Sequence, residues 1–308
     1  MASLRDIRDR IKTVRSTQQV TRAMKMVAAA KLRRAQEQIF NSRPYAYKLR
    51  EITVHLAQQV DPGSHPLFQR REEVNATLLV IVTADRGLAG AFNANVIKTA
   101  EATIRERYTE LNEAGNLYLM CVGRKSHEYF SKRGYQLIGD YRGVFNSLSF
   151  KDADEMTDVM VEGFEGGRWD EVQVVYNEFK NTISQNRIVE PLLPVPQEAF
   201  ATPVMEASDD YHEAEVDANR QFDYIFEPDA GAILQELVPR FVTFQFWRVL
   251  LESNAAEQGA RMVAMDNATT NAGELLKDLK LTYNQARQAA ITTEILEIVS
   301  GAEALKNG

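Results

Sequence analysis

The stretch from Asp229 to Gly308 constrains this chain more than any other. Ile233, Leu237, Phe244, Trp247, Leu251, Met265, Ala268, Ala272, Leu275, Leu279, Ala286, Ala289 and Leu296 recur mostly at steps of 3, 4 or 7. That is the apolar seam of a coiled coil. No proline follows Pro239, which is expected at the first position of the long helix, where its missing N–H costs nothing. A helix of about 60 residues is roughly 90 Å long. This is wider than an ordinary domain, so the helix is expected to project and to need a partner helix.

The partner is expected at the other end of the chain. Leu4, Ile7, Ile11, Val14, Gln18, Thr21, Lys25, Ala28, Leu32, Ala35 and Ile39 fall on a 3.5-residue spacing. Gln18, Thr21 and Lys25 interrupt this seam, and Asn254, Gln258 and Arg261 interrupt the C-terminal one. Two such termini can wind into an antiparallel pair. The expected divisions are an N-terminal coiled-coil helix over 1–60, an α/β domain over 75–225 and a C-terminal coiled-coil helix over 229–308.

Between the helices the period changes. Ala76–Thr83 is a continuous apolar run, as in a strand buried on both faces. A turn over Asp85–Asn93 leads to a helix over about Ala94–Ala114. A strand over Asn116–Val122 and a helix from Gly123 to about Arg133 follow, then a weak strand over 135–140. Phe150–Gly166 reads as a helix, and Glu171–Asn177 and Arg187–Val195 read as strands. This alternation predicts a mostly parallel sheet. In the first helix, Pro44 is expected to kink or break the turn near Ser42 and Arg43. Asp61-Pro62-Gly63-Ser64 is expected to end it, and 197–228 to be acidic and irregular.

Charge is divided unevenly. Residues 1–50 hold 13 Lys or Arg against 3 Asp or Glu, a surplus of +10 in a chain of net charge −7. A basic helix on an acidic protein points to an anionic partner surface. No apolar run is long enough to cross a membrane, and the N-terminus lacks the apolar segment of a signal peptide. Cys121 is the single cysteine, so no intramolecular disulfide forms, and the four histidines are scattered without metal-ligand spacing. No cofactor or metal is expected.

Few motifs suggest chemistry. Asp85-Arg86-Gly87-Leu88-Ala89-Gly90 sits where a phosphate-binding loop would sit, but it is neither GxGxxG nor a P-loop. Gly123-Arg124-Lys125 could meet an anion at a helix N-terminus, but a plain turn is the favoured reading. Nothing demands an enzyme. An α/β nucleotide-binding enzyme with coiled-coil dimerisation arms is the alternative, and a polyanion binder using the basic helix is a third.

The residues of both ends carry a resemblance. Ile7-Arg8, Ile11, Thr17-Gln18, Thr21 and Ala23–Ala29, together with Arg261-Met262, Ala264-Met265, Ala268-Thr269, Tyr283-Asn284, Arg287-Gln288 and Ile291-Thr292, closely resemble the F-type ATP synthase gamma-subunit family, as does Asp85–Leu88 with Gly90 and Asn93. The resemblance implies a left-handed antiparallel coiled coil of the two terminal helices on a Rossmann-like α/β domain that binds no nucleotide. It implies a non-catalytic rotor shaft, one copy per complex. The shaft lies inside the hexameric ring of alpha and beta subunits and on the c-ring with the epsilon subunit, without nucleic acid. By the same resemblance, Met24 and Lys25 lie near an acidic loop of the beta subunit, with Arg261 in the same lower region. Arg287, Gln288 and Thr292 contact beta loops higher on the shaft, and Gly87, Leu88 and Gly90 contact the c-ring. Thiol regulation is expected to be absent. The expected location is the cytoplasmic face of a bacterial inner membrane, as a peripheral protein.

Overall fold

The computed structural model describes residues 3–59, 65–196, 227 and 229–306. The expected helix end at 61–64 and nearly all of the acidic stretch lie outside them. The chain divides into two compact units, Met1–Val27 with Met262–Gly308, and Ala28–Arg261.

The larger unit is built on a five-stranded sheet in the order β3-β2-β1-β4-β5. Its strands are β1 (Thr77–Val82), β2 (Leu117–Val122), β3 (Gln136–Leu137), β4 (Glu171–Phe179) and β5 (Gln185–Leu193). The first four are parallel and β5 runs antiparallel to β4. The helices are α1 (Leu4–Gln59), α2 (Phe92–Arg107), α3 (Thr109–Glu113), α4 (Arg124–Phe130), α5 (Phe150–Glu165) and α6 (Ala230–Lys306).

Alternation along the strands sorts the core into two layers. Leu78, Val80, Val82, Val172, Val174 and Tyr176 point to one face, where Met156, Met160 and Phe164 of α5 and Val238–Leu250 of α6 cover them. Leu79, Ile81, Leu119, Cys121 and Val175 point to the other, against Val96, Ala100 and Ile104 of α2 and Phe130 of α4. Both faces of β1 are closed to water, which is why its sequence is apolar without alternation.

Several expectations need correction. The helix expected over Ala94–Ala114 is two helices, interrupted at Tyr108, whose backbone leaves the helical region. The weak third strand is only two residues long. Pro239 is not at a helix start: α6 begins nine residues earlier, with the Asp229 carboxylate accepting the Ala232 N–H at 2.9 Å. The carbonyl that a residue at 239 would have bonded is that of Gln235. The buried His65 ring is hydrogen-bonded to the Gln235 backbone instead, while its Nδ1 accepts the Leu67 N–H at 3.2 Å. Burial holds His65 below its ordinary pKa, against the pull of that backbone bond. Pro44 likewise does not end α1.

The C-terminal seam is also not narrow throughout. From Phe241 to Gly259, α6 is buried on nearly every face, Trp247 and Asn254 being only half-buried. A helix lying on a sheet and covered on its outer side is enclosed all round, so apolar residues off the heptad are expected there.

Candidate functional site

In the smaller unit α1 and α6 pair antiparallel. Arg8 donates to the Tyr283 hydroxyl at 3.0 Å and Lys25 to Asp266 at 2.6 Å, 17 residues apart on both helices. The positions facing inward on α6 are Met265, Thr269, Ala272, Leu276, Leu279, Tyr283 and Ala286, all buried or half-buried at alternating steps of 4 and 3. Leu275, placed on the seam from sequence, is 38% exposed, and Leu276 takes the position at 8%. On α1 the expected seam holds at every position from Leu4 to Ile39.

The polar residues of the α1 seam meet polar residues of α6. Thr21 Oγ1 lies 2.8 Å from Thr269 Oγ1, and Gln18 Nε2 donates to the Thr269 carbonyl at 3.4 Å. Gln18, Thr21 and Lys25 therefore face Asp266 and Thr269, because the antiparallel register brings those residues opposite. Gln258 and Arg261 lie buried in the larger unit. The Lys25–Asp266 pair is half exposed, so it contributes no more than about 1 kcal/mol. Met24 is half-buried beside it.

The pairing ends where α1 begins. Leu4 lies four residues before Arg8, and Arg287 four after Tyr283. From Arg287 to Ala302 every residue of α6 is exposed. Arg287, Gln288 and Thr292 are among them, and Thr292 Oγ1 bonds its own helix at the Gln288 carbonyl, 3.0 Å away. Ala289 and Leu296, expected on the seam, are exposed here as well. Sequence reading gave no contact role to Ile291, Ile295, Ile298 and Val299, each 49–66% exposed, or to Val20, Met26 and Val27 on α1, each 55–62% exposed. Their signal was present as large apolar residues off the heptad positions, which a two-helix pair alone leaves in water.

In the larger unit the turn after β1 is fixed from within. The Asp85 carboxylate accepts the backbone N–H of Arg124, Gly143 and Phe145 at 2.7–3.2 Å. Lys125 N–H donates to the Ala84 carbonyl and Ser126 N–H to Thr83 Oγ1. The amide donors at the start of α4, which would have met an anion, are thus already engaged by β1 and its turn. Gly123 permits the approach: its φ is +93°, and a Cβ there would lie 2.0 Å from the Thr83 carbonyl oxygen.

Arg261 secures the far side of the same turn. It donates to the carbonyls of Gly87 and Arg86 and to Glu257 one helical turn back. It is 9% exposed, and these bonds lie within the larger unit. Burial raises the Glu257 pKa, and the Arg261 guanidinium opposes that rise. Leu88 is held at φ +65° with its side chain 68% exposed, between Gly87 and Gly90, both exposed. A leucine in the left-handed region costs about 1–3 kcal/mol, and the surrounding bonds hold it there.

The sequence compares closely with known chains. The family model described as ATP synthase matches residues 3–305. The ATP synthase gamma chain of Salinibacter ruber is 61% identical over 306 residues, covering 99% of both chains. That of Chloroherpeton thalassium is 50% identical, again over 99% of both. Among solved structures, the rotor of the Euglena gracilis mitochondrial ATP synthase matches with a TM-score of 0.62 at 20% identity, over 94% of this chain and 98% of that one. The central stalk and c-ring structure of the Tetrahymena thermophila enzyme contributes a chain with a TM-score of 0.54 at 23% identity, over 81% of this chain and 99% of that one.

Proposed function

The chain belongs to the ATP synthase gamma-chain family, and from that premise we propose how its surfaces serve a rotor. It is the gamma subunit, the central stalk, and it is a non-catalytic subunit of the enzyme. Among its described residues no helix is long and apolar enough to cross a membrane. We assign it to the cytoplasmic face of a bacterial inner membrane, held there by its partners. Those partners are the ring of alpha and beta subunits, the epsilon subunit and the c-ring, with one copy of this chain per complex.

The observation that carries this reading is the exposed end of α6. Sixteen consecutive exposed residues, Arg287–Ala302, with five large apolar side chains among the first thirteen, suit a helix end surrounded by other subunits. Its polar members Arg287, Gln288 and Thr292 can form directional contacts within an apolar sleeve. Lower on the shaft, Met24 and Lys25, with exposed Met26 and Val27 beside them, face an acidic partner loop. Two wound helices give stiffness, and a mixed apolar and polar surface passes three similar partners without adhering to one. Leu88, flanked by Gly87 and Gly90 and backed by Arg261, offers an apolar contact in the globular part, assigned to the c-ring. The divisions 1–60, 75–225 and 229–308 describe these roles as coil, α/β body and coil.

Mixing the full chain with alpha and beta subunits tests the assignment. A complex is expected whose ATPase turnover depends on this chain. Failure to assemble, with nucleotide bound to the chain alone, would return the nucleotide-binding alternative. Met24→Glu places a negative charge opposite the acidic loop. Assembly is expected to survive, with proton pumping per ATP falling several-fold; unchanged pumping in reconstituted vesicles would remove Met24 from the contact.

A further inference from the structure

The larger unit encloses a charge imbalance that its role as a rotor does not use. Arg248 of α6 is 8% exposed, and each nitrogen of its guanidinium donates a hydrogen bond. Its Nε donates to Gln245 at 3.1 Å, one terminal nitrogen to the Tyr176 hydroxyl at 3.1 Å, and the other to Glu190 Oε1 at 2.5 Å. The Tyr176 hydroxyl lies 3.3 Å from the second oxygen of Glu190, so both oxygens of that carboxylate are served. Glu252 is less well provided. Its Oε1 is 3.5 Å from Arg248, and its Oε2 is buried with no hydrogen-bond partner. Glu178 of β4, 1% exposed, accepts from Asn186 at 3.0 Å with one oxygen, and its other oxygen is likewise unpartnered.

Two buried carboxyl groups, Glu190 and Glu252, therefore share one guanidinium, and a third, Glu178, adds its charge beside Glu252. The titratable groups facing Glu252 are Tyr176 and Glu178 from β4, Glu190 from β5 and Arg248 from its own helix. A buried carboxylate oxygen without a donor is strongly disfavoured if ionised, whereas a protonated carboxyl carries no charge and supplies a donor of its own. Glu190 holds the Arg248 charge through short bonds, which leaves Glu252 as the member with the weakest claim on it.

We propose that the Tyr176–Glu190–Arg248–Glu252 cluster binds one proton on folding, held on Glu252, so that packing of α6 on the β4–β5 hairpin tightens with acid and loosens with alkali. Burial first, and then the neighbouring carboxylates against Arg248, raise the Glu252 pKa from 4.5 to about 7. Because the folded value lies above the unfolded one, the contribution to stability is fully present below pH 4.5. It is lost as pH rises through about 7.

Denaturant unfolding of the full-length chain across that pH range tests this. Relative to wild type, Glu252→Gln, which mimics the neutral acid, is expected to gain on the order of a hundredfold in its folding equilibrium as pH rises through the window. Glu178→Gln is expected to leave most of the pH slope in place. A Glu252→Gln chain equally weakened at every pH, or a slope abolished only by Glu178→Gln, overturns the assignment. If Glu252→Gln does not fold, infrared spectroscopy of the wild type at pH 6 decides. A protonated buried carboxyl signal supports the proposal, and its absence refutes it.

Discussion

Replacing Arg248 with methionine is expected to destabilise the larger unit by about 3–5 kcal/mol, because it leaves buried carboxylates without their cation. Methionine fills much of the same volume, so little of the loss comes from a cavity. The charge is what disappears: Glu190 loses its 2.5 Å bond, Tyr176 loses a donor, and Gln245 loses the Nε contact that orients it. A second substitution identifies the charged partner. In the Arg248→Met background, Glu190→Gln is expected to restore a large part of the loss, since it removes the carboxylate stranded without a counter-ion. Glu252→Gln in the same background is expected to restore little at acidic pH, where Glu252 is already neutral. The destabilisation should also grow as pH rises, because folded carboxyl groups deprived of arginine titrate above their unfolded values. The denaturation midpoint of the full chain measures all of this. A loss below about 1 kcal/mol for Arg248→Met would mean that the cluster is hydrated and the pair weakly coupled.

No sequence signal announced that cluster. Tyr176, Glu190, Arg248 and Glu252 come from two strands and one helix, and only Arg248 and Glu252 stand one helical turn apart. The long α6 seam obscured it further, since residues 241–259 were read as one apolar stripe with a polar interruption. They are in fact enclosed on most sides, and their polar members bond into the body. Whether a polar residue in a helix faces water or a buried partner depends on the elements packed around it, which spacing alone does not contain.

The α1 seam was fully legible for the opposite reason. A helix with one partner buries a single stripe, and a stripe is a property of spacing. The α/β order was legible too, because β1 and β2 are apolar runs bounded by turn residues. The expected position of Pro239 failed because a proline rule for isolated helices took no account of His65, distant in sequence, bonding the backbone at Gln235. Arg261 was named from the resemblance as a partner contact; that it also bonds the Gly87 and Arg86 carbonyls, 174 and 175 positions away in sequence, is something spacing alone does not contain.

Removing residues 287–308 is expected to leave the stability of the isolated chain within about 0.5 kcal/mol while ATP synthesis by the assembled enzyme falls several-fold. The first half follows from exposure. Among the described residues beyond Ala286, each side chain through Ala302 lies open to solvent, and the last cross-helix bond is that of Arg8 to Tyr283, which this cut retains. Surface residues without internal contacts contribute little to folding. A cut after Leu279 is a poorer test, because it also deletes Tyr283 and Ala286 and shortens the pair itself. The second half follows from the apolar character of what is lost. Ile291, Ile295, Leu296, Ile298 and Val299 have no reason to sit in water unless another subunit covers them in the assembly. Arg287, Gln288 and Thr292 would leave with them, removing the polar contacts assigned to the upper shaft. Comparing the truncated chain with Arg287→Ala and Ile295→Ser separates the two contributions. If torque passes through polar contacts, Arg287→Ala reproduces most of the loss; if the apolar sleeve acts as a bearing, Ile295→Ser does. Equal ATP synthesis with and without residues 287–308 would show that this helix end is not gripped by the ring, and would confine the working contacts to the paired region around Met24 and Lys25.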